Sequence, residues 1–399
     1  MKILQINAVG QYGSTGRNCK ELAEYIHQNT AHSCYTAFSE GMVDAHSYQI
    51  GTPVEKKLHG LLSRVFGRQA HFSVRGTRRL LRYMDDLQPD VVHLNNLHGN
   101  YIHFPMLMRY LAKHDIATVV TLHDCWFYTG KCCHYTVDGC YRWQTGCHHC
   151  PRLRKDNVSW FRDATKALWK EKKALFEAIP RLGVVGVSDW ITEEAKRSYL
   201  SCAKEIRRIY NWIDLDVFYP RENREEVRER LGLQGKKIVL GVASGWSNAK
   251  GLDQFLALAD RLGDDYAVVL VGRMPTDVQL PKRVRHIPAT ESVEELAEYY
   301  SMADVFVTLS LEETFGKVSA EALACGTPVV CYGSTANGEL AKAKGCKSCK
   351  PGNLHEVLEA VQTACVLDAR VECRRMAELQ FDKNKQIQAY VCFYETLLG

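Results

Sequence analysis

Residues 303–331, ADVFVTLSLEETFGKVSAEALACGTPVVC, leave the chain little choice of fold class. Residues 303–309 are a β-branched and aromatic run of strand length, and 312–316 hold a turn. Residues 317–324 read as a short helix, stopped by Gly326-Thr327-Pro328, and Val329-Val330 open another strand. Strand, helix and strand in immediate succession form a βαβ unit, whose strands run parallel. Parallel sheets are covered by helices on both faces, so the expected class is α/β.

The same unit sets up a binding chemistry. At the start of a helix the backbone N–H groups of Phe315, Gly316, Lys317 and Val318 lack intrahelical partners, and the positive dipole end favours a phosphate. Glu313 on the turn could accept hydroxyl donors, and Glu321 in the helix could grip a vicinal diol with both oxygens. A phosphate flanked by two polyols describes a nucleotide sugar. Each carboxylate also has a plainer use, Glu313 as a helix cap and Glu321 as a solvated helix residue.

Taken whole, E-T-F-G at 313–316, Glu321 after seven intervening residues, and A-L-A-C-G-T-P-V-V resemble the E-x7-E element of family-4-type retaining glycosyltransferases of GT-B fold. The resemblance covers nearly the whole chain and is strongest at 118–151 and 303–331. It implies two Rossmann-like domains facing a cleft. Residues 1–210 would form the acceptor domain and 211–375 the nucleotide-sugar domain, with 376–399 a C-terminal helix crossing back to the first. It also implies transfer of a sugar from a UDP- or GDP-linked donor to an acceptor hydroxyl, with retained anomeric configuration.

At 399 residues and 46% hydrophobic content the chain can bury two ordinary cores. No apolar run reaches the roughly 18 residues of a membrane span, and Met1-Lys2-Ile3-Leu4 enters a strand without a signal-peptide core. The expected location is the cytoplasm, extending to the inner face of the cytoplasmic membrane. The net charge of +5 is divided unevenly: residues 1–210 carry 29 Lys and Arg against 19 Asp and Glu, whereas residues 211–399 carry 22 against 27. A basic first half suits an anionic membrane or a phosphorylated substrate. Nucleic acid is not an expected partner, because no recognised fold with interleaved aromatic and basic residues is present.

Along the first half, residues 1–8 form a strand and a loop with Gly10, Gly13 and Gly16 leads into a helical pattern at 21–26. Such a loop is an ordinary tight turn or a ligand cradle; the resemblance places Gly16 and Arg17 at the donor. Residues 56–82 hold eight Lys or Arg and no acid, with Leu58, Leu61, Leu62, Val65 and Phe66 on one helical face. This is a solvated basic face or an interfacial patch for anionic lipid, where a lipid-linked acceptor would be found. Strands at 90–94 and 118–122 end in polar groups. His123, after the second, resembles the family's active-site histidine that contacts the donor sugar, and Asn95 and His98 occupy the other loop as acceptor-binding candidates.

Residues 125–150 carry Cys125, Cys132, Cys133, Cys140, Cys147 and Cys150. Sixteen cysteines without an export signal point to thiols or metal ligands. Cys147 and Cys150, with Cys140 and either Cys132 or Cys133, could hold a structural zinc ion; a reduced thiol cluster and disulfides are the alternatives. The string resembles an insertion in glycosyltransferases of colanic-acid, capsule and other surface-polysaccharide pathways. A basic helix at 155–176 and a strand at 182–187 follow.

Residues 209–214, IYNWID, resemble the step into the second domain, with Trp212 in place of the usual glycine. After the strand 237–243, Lys250 occupies the position of the family's diphosphate-binding lysine, while its usual arginine partner is Gly245. Arg273, after the strand at 268–271, is the candidate replacement. The resemblance assigns Glu313, Lys250 and His123 to catalysis by electrostatic stabilisation, through a front-face mechanism without a covalent nucleophile. No D-x-D motif closes a strand, so no cofactor is expected for catalysis. The rival readings are a UDP-sugar 2-epimerase of the same fold, a nucleic-acid-binding module, and a zinc or redox protein.

Overall fold

Val91–Leu94 and Ala117–Leu122 are buried at every position, as strands covered on both faces must be. In the computed structural model, which describes all 399 residues, they lie within a seven-stranded parallel sheet. Its strands are β1 (Lys2–Val9), β2 (Ser33–Glu40), β3 (Ser47–Gln49), β4 (Val91–Leu94), β5 (Ala117–Leu122), β6 (Leu182–Gly186) and β7 (Glu205–Arg208). Their spatial order is β3-β2-β1-β4-β5-β6-β7. A second parallel sheet contains β8 (Lys237–Gly245), β9 (Tyr266–Arg273), β10 (Val284–Ile287), β11 (Val305–Thr308), β12 (Val329–Tyr332) and β13 (Lys347–Cys349), ordered β10-β9-β8-β11-β12-β13.

Both orders run outward one way from the first strand and then restart on its other side. In open α/β sheets the crevice at the carboxyl ends of the strands flanking that reversal receives ligands. The switch points are therefore β1/β4 in one sheet and β8/β11 in the other.

The chain divides into two units, Met1–Ile209 with Ile387–Gly399, and Tyr210–Gln386. The return falls inside the helix Lys383–Leu398, after residue 386 instead of 375. The delay has a physical cause: the helix Arg370–Gln380 is tied into the second unit, where Arg374 Nη1 donates to the carbonyls of Phe218 (2.7 Å) and Ala324 (3.1 Å). In the first unit the end of the last helix braces the central strands. Tyr394 OH bonds His93 Nδ1 at 2.8 Å, His93 Nε2 meets Thr121 Oγ1 at 2.7 Å, and Thr121 Oγ1 lies 3.1 Å from Tyr390 OH. Burial pushes the His93 imidazole down to about 3, so it stays neutral within this chain of hydroxyls.

One local reading changes. The helix expected at 155–176 begins only at Thr165, because Asp163 Oδ1 accepts from the Thr165 N–H at 3.0 Å and starts it there. The preceding residues are held as turns, with Arg152 paired to Asp138 (2.5 Å) and Asp156 (3.1 Å). In the helix Pro53–Phe66 the apolar face points outward: Leu58, Leu61 and Phe66 are exposed, while His59, Gly60 and Ser63 are buried. His59 Nδ1 at 2.6 Å from Ser73 Oγ gives the inward face a polar reason to be covered.

Candidate active site

In the second unit, the loop after β8 passes through the turn Asn248–Lys250 into the helix Leu252–Arg261. Gly251 between them has φ +77, and a side chain there would place Cβ 2.5 Å from that of Leu309, beyond the end of β11. Glycine thus lets the two loops at the switch point meet. Lys250 Nζ and Glu313 Oε1 form an ion pair across them. With side chains 40% and 22% exposed, such a pair contributes about 0–1 kcal/mol, little enough for an incoming anion to rearrange.

Glu313 is clamped through its backbone. Its N–H donates to Thr335 Oγ1 (2.9 Å), and its carbonyl accepts from Ala336 N–H (3.2 Å). Thr335 holds φ +49, a conformation costly for a β-branched residue, of order 1–3 kcal/mol. This loop after β12 was not among the expected site segments; its sequence signal is the polar run G-S-T-A-N-G directly after a strand.

Gly316, at φ +87, turns the chain into the helix Lys317–Ala324, and its carbonyl accepts from the Ser319 N–H at 2.9 Å. Phe315 is buried between Tyr210 and Phe381, with ring centroids at 5.9 and 5.5 Å, so its side chain is core and only its backbone is available for binding. Two polar atoms at this helix start, Ser319 Oγ and Asn337 Oδ1, are buried without a hydrogen-bond partner. Glu321 is 6% exposed and accepts from Tyr300 OH at 3.0 Å, which removes the reading of a solvated helix residue.

Gly245 has open space where a side chain would project, and its register partner across β8 and β9 is Arg273. The exposed Arg273 guanidinium, anchored by Nε to the Ser244 carbonyl (3.2 Å), thus stands beside the position where the resemblance expects an arginine.

In the first unit, Asn7 joins the loops at the β1/β4 switch point: Oδ1 accepts from Asn96 N–H (3.1 Å), and Nδ2 donates to Val9 O (2.8 Å) and Thr15 Oγ1 (3.3 Å). Gly16 lies beneath this loop, where a Cβ would be 3.1 Å from Val9 Cγ2, so its smallness serves packing of helix on strand. Arg17 is exposed, with Nε 3.4 Å from Gly13 O. His123 Nε2 donates to Asn95 Oδ1 at 2.9 Å, and the buried Asn95 Nδ2 has no partner. His98 instead meets Asp124: Nε2 and Oδ2 are 2.7 Å apart, with Cys133 Sγ 3.8 Å from the same nitrogen. Burial raises the Asp124 carboxyl, but His98 and the Trp126 N–H outweigh it and hold the group at about 2. Cys133 thus sits with His98 and Asp124, whose donor atoms and its own lie within 4.8 Å of one another, a group able to hold a metal ion, while Cys132, Cys140, Cys147 and Cys150 line one small cavity.

Comparison with known proteins places this geometry. Residues 17–217 match the model of Glycosyltransferase Family 4, and residues 223–378 match Glycosyl transferases group 1. The chain is 26% identical over 330 residues to the putative colanic acid biosynthesis glycosyl transferase WcaC of Escherichia coli, covering 77% of each. It is 30% identical over 181 residues to spore coat protein SA of Bacillus subtilis, covering 39% of this chain and 48% of that one. Among solved structures, sucrose-phosphate synthase from Thermosynechococcus elongatus superposes with a TM-score of 0.73 at 16% identity, over 100% of this chain and 99% of that one. Anabaena Alr3699/HepE in complex with UDP and glucose gives 0.67 at 15% identity, over 99% and 100%.

Proposed function

This chain belongs to glycosyltransferase family 4 and has the GT-B fold, and on that premise we propose that it moves a sugar from a nucleoside-diphosphate donor to an acceptor hydroxyl with retained configuration. One observation carries the reading: Lys250 and Glu313 meet at the β8/β11 switch point, beside the amino end of the helix that carries the buried Glu321. A cation and a row of amides, with one carboxylate before them and one after them along the chain, match a diphosphate between a sugar and a ribose.

The roles follow from the groups. Glu321, shielded from water and held by Tyr300, accepts the ribose diol. Lys250, Arg273 and the amides of Phe315 to Val318 stabilise charge on the departing diphosphate. Glu313 and its clamped loop take the sugar hydroxyls once diphosphate draws Lys250 away. His123, oriented by Asn95, is assigned to sugar hydroxyls, and His98 and the free Asn95 amide to the acceptor. The bond from anomeric carbon to phosphate oxygen breaks, the acceptor oxygen bonds that carbon on the same face, and its proton passes to the leaving phosphate.

The likeness to a colanic acid glycosyl transferase supports a saccharide or lipid-linked saccharide acceptor. The surface supports contact with an anionic membrane. Phe161, 75% exposed, and Trp160 adjoin the end of the helix Pro53–Phe66, where the Trp160 N–H donates to Arg64 O at 2.7 Å. Exposed aromatic and aliphatic groups among arginines are the composition of an interfacial patch. No helix is long and apolar enough to cross a membrane.

Thermal shift against UDP and GDP, followed by transfer assays with the matching sugar donors, tests the function. A ligand at about 100 times its dissociation constant adds roughly 2.7 kcal/mol to the stability of the folded state. Stabilisation by neither nucleotide, or release of free sugar with no acceptor product, overturns the reading.

A further inference from the structure

The segment between β5 and the helix Thr165–Glu177 closes on a cavity of about 20 Å³ lined by Cys132, Cys140, Cys147 and Cys150. That volume admits about one small sphere. The Sγ atoms of Cys132 and Cys150 are 3.7 Å apart. Sulfurs in a disulfide stand about 2.05 Å apart, whereas thiolates about 2.3 Å from a tetrahedral zinc ion stand about 3.8 Å from each other. Cys133, next in sequence to Cys132, is turned away, with Sγ 3.7 Å from Asn157 Nδ2.

Two backbone amides reach the sulfurs. Gly130 N–H donates to Cys147 Sγ at 3.2 Å, and the Arg152 backbone N–H bonds Cys150. Four thiolates around Zn²⁺ leave two net negative charges, and two buried lysine side chains lie near them. Lys131 lines the cavity and donates to the carbonyl of Arg152 at 2.7 Å; Lys172 donates to that of Trp126 at 2.6 Å.

We propose that Cys132, Cys140, Cys147 and Cys150 bind one Zn²⁺ as a closed tetrathiolate site that holds the loop carrying His123 and Asp124. Binding releases four thiol protons to solvent and changes no oxidation state. With every position filled by protein, no water is coordinated, and the ion is structural. Its grip reaches the loop through Thr129 Oγ1, which donates to Cys132 O at 2.7 Å, and Cys125 N–H, which donates to Cys133 O at 2.9 Å. The site is independent of the donor assignment and stands or falls by metal content.

The test uses the full chain, expressed with added zinc and purified without chelator. Elemental analysis should find about one zinc per chain, and exchange for cobalt should give the visible and sulfur-to-metal bands of a tetrahedral tetrathiolate. Cys140→Ser and Cys147→Ser should lose most of the metal, while Cys133→Ser and His148→Ala keep it. Wild-type protein with far less than one zinc overturns the proposal whether or not the variants fold. So does equal loss in Cys133→Ser and Cys147→Ser, or a count of fourteen free thiols, out of sixteen, in denatured unreduced protein, which would mean that one pair is a disulfide.

Discussion

The two glutamates of the E-x7-E element are held so differently that their loss should separate in kinetics. Glu313 is half-buried and paired only with a lysine that a diphosphate would draw away, whereas Glu321 is enclosed with Tyr300. Glu313→Ala should lower kcat about 100-fold and leave nucleotide affinity within a few-fold, because its contact orients the reacting sugar. Glu321→Ala should weaken nucleoside-diphosphate binding by about 10-fold or more, since each lost charge-assisted hydrogen bond is worth about 1.5–3 kcal/mol. Calorimetry beside steady-state rates checks this; equal losses of affinity would refute the division. The E-x7-E element stands out in the sequence because helix-start chemistry is local. Thr335, which clamps Glu313, comes from beyond the next strand, and no spacing rule links it to the turn it supports. Likewise, no periodicity tells which of two adjacent loop residues, Cys132 or Cys133, faces a cavity.

A second prediction at this scale concerns Asp124. Its carboxyl is depressed from 3.8 to about 2 in the folded chain, so its contribution to stability is fully present above about pH 4 and lost as pH falls toward 2. Asp124→Asn should therefore flatten the dependence of the urea midpoint on pH across that window. An unchanged slope would mean the pair with His98 adds no stability.

Among the elements, the helix Pro53–Phe66 shows what a pattern can and cannot decide. A period of 3.6 identifies an apolar face, but whether protein covers that face depends on what packs there, and here the covered side is His59, Gly60 and Ser63. The strand Ser33–Glu40 carries no aliphatic run to announce it: its buried positions include Cys34, Ala37 and Ser39. The outward face and the exposed Arg75, Arg78, Arg79 and Arg82 lead to a prediction about lipid. Each basic residue near an anionic surface contributes about 1 kcal/mol, within a Debye length of about 8 Å at physiological salt. Purified protein should sediment with anionic vesicles at low salt, release at high salt and ignore neutral vesicles. Changing the four arginines to Gln should abolish sedimentation, and Leu61→Asp with Phe161→Asp should weaken it, with nucleotide binding retained in both. Wild-type protein that never sediments would leave this face merely solvated.

At the scale of the whole chain, the structure divides between Ile209 and Tyr210, one residue before the expected boundary and inside the IYNWID step. The return at Gln386/Ile387 was not legible, because a continuous helix spans it and offers no change of composition. The division also separates the groups: Lys250, Arg273 and Glu313 lie on the second unit, His123 and the cysteine-lined cavity on the first. Chelation should therefore act on two different clocks. If Lys250, Arg273 and the helix amides carry the diphosphate charge, adding EDTA to a running transfer reaction should leave the initial rate unchanged. If the tetrathiolate site holds zinc, prolonged incubation with a stronger chelator should release metal slowly, with activity lost in step as the loop bearing His123 and Asp124 loosens. Stopped assays sampled from seconds to hours, with released zinc followed by a chromogenic indicator, resolve the two. Immediate loss restored by Mg²⁺ would transfer the diphosphate charge from these residues to a cation. Slow loss that precedes zinc release would disconnect the cluster from the loop it is proposed to hold.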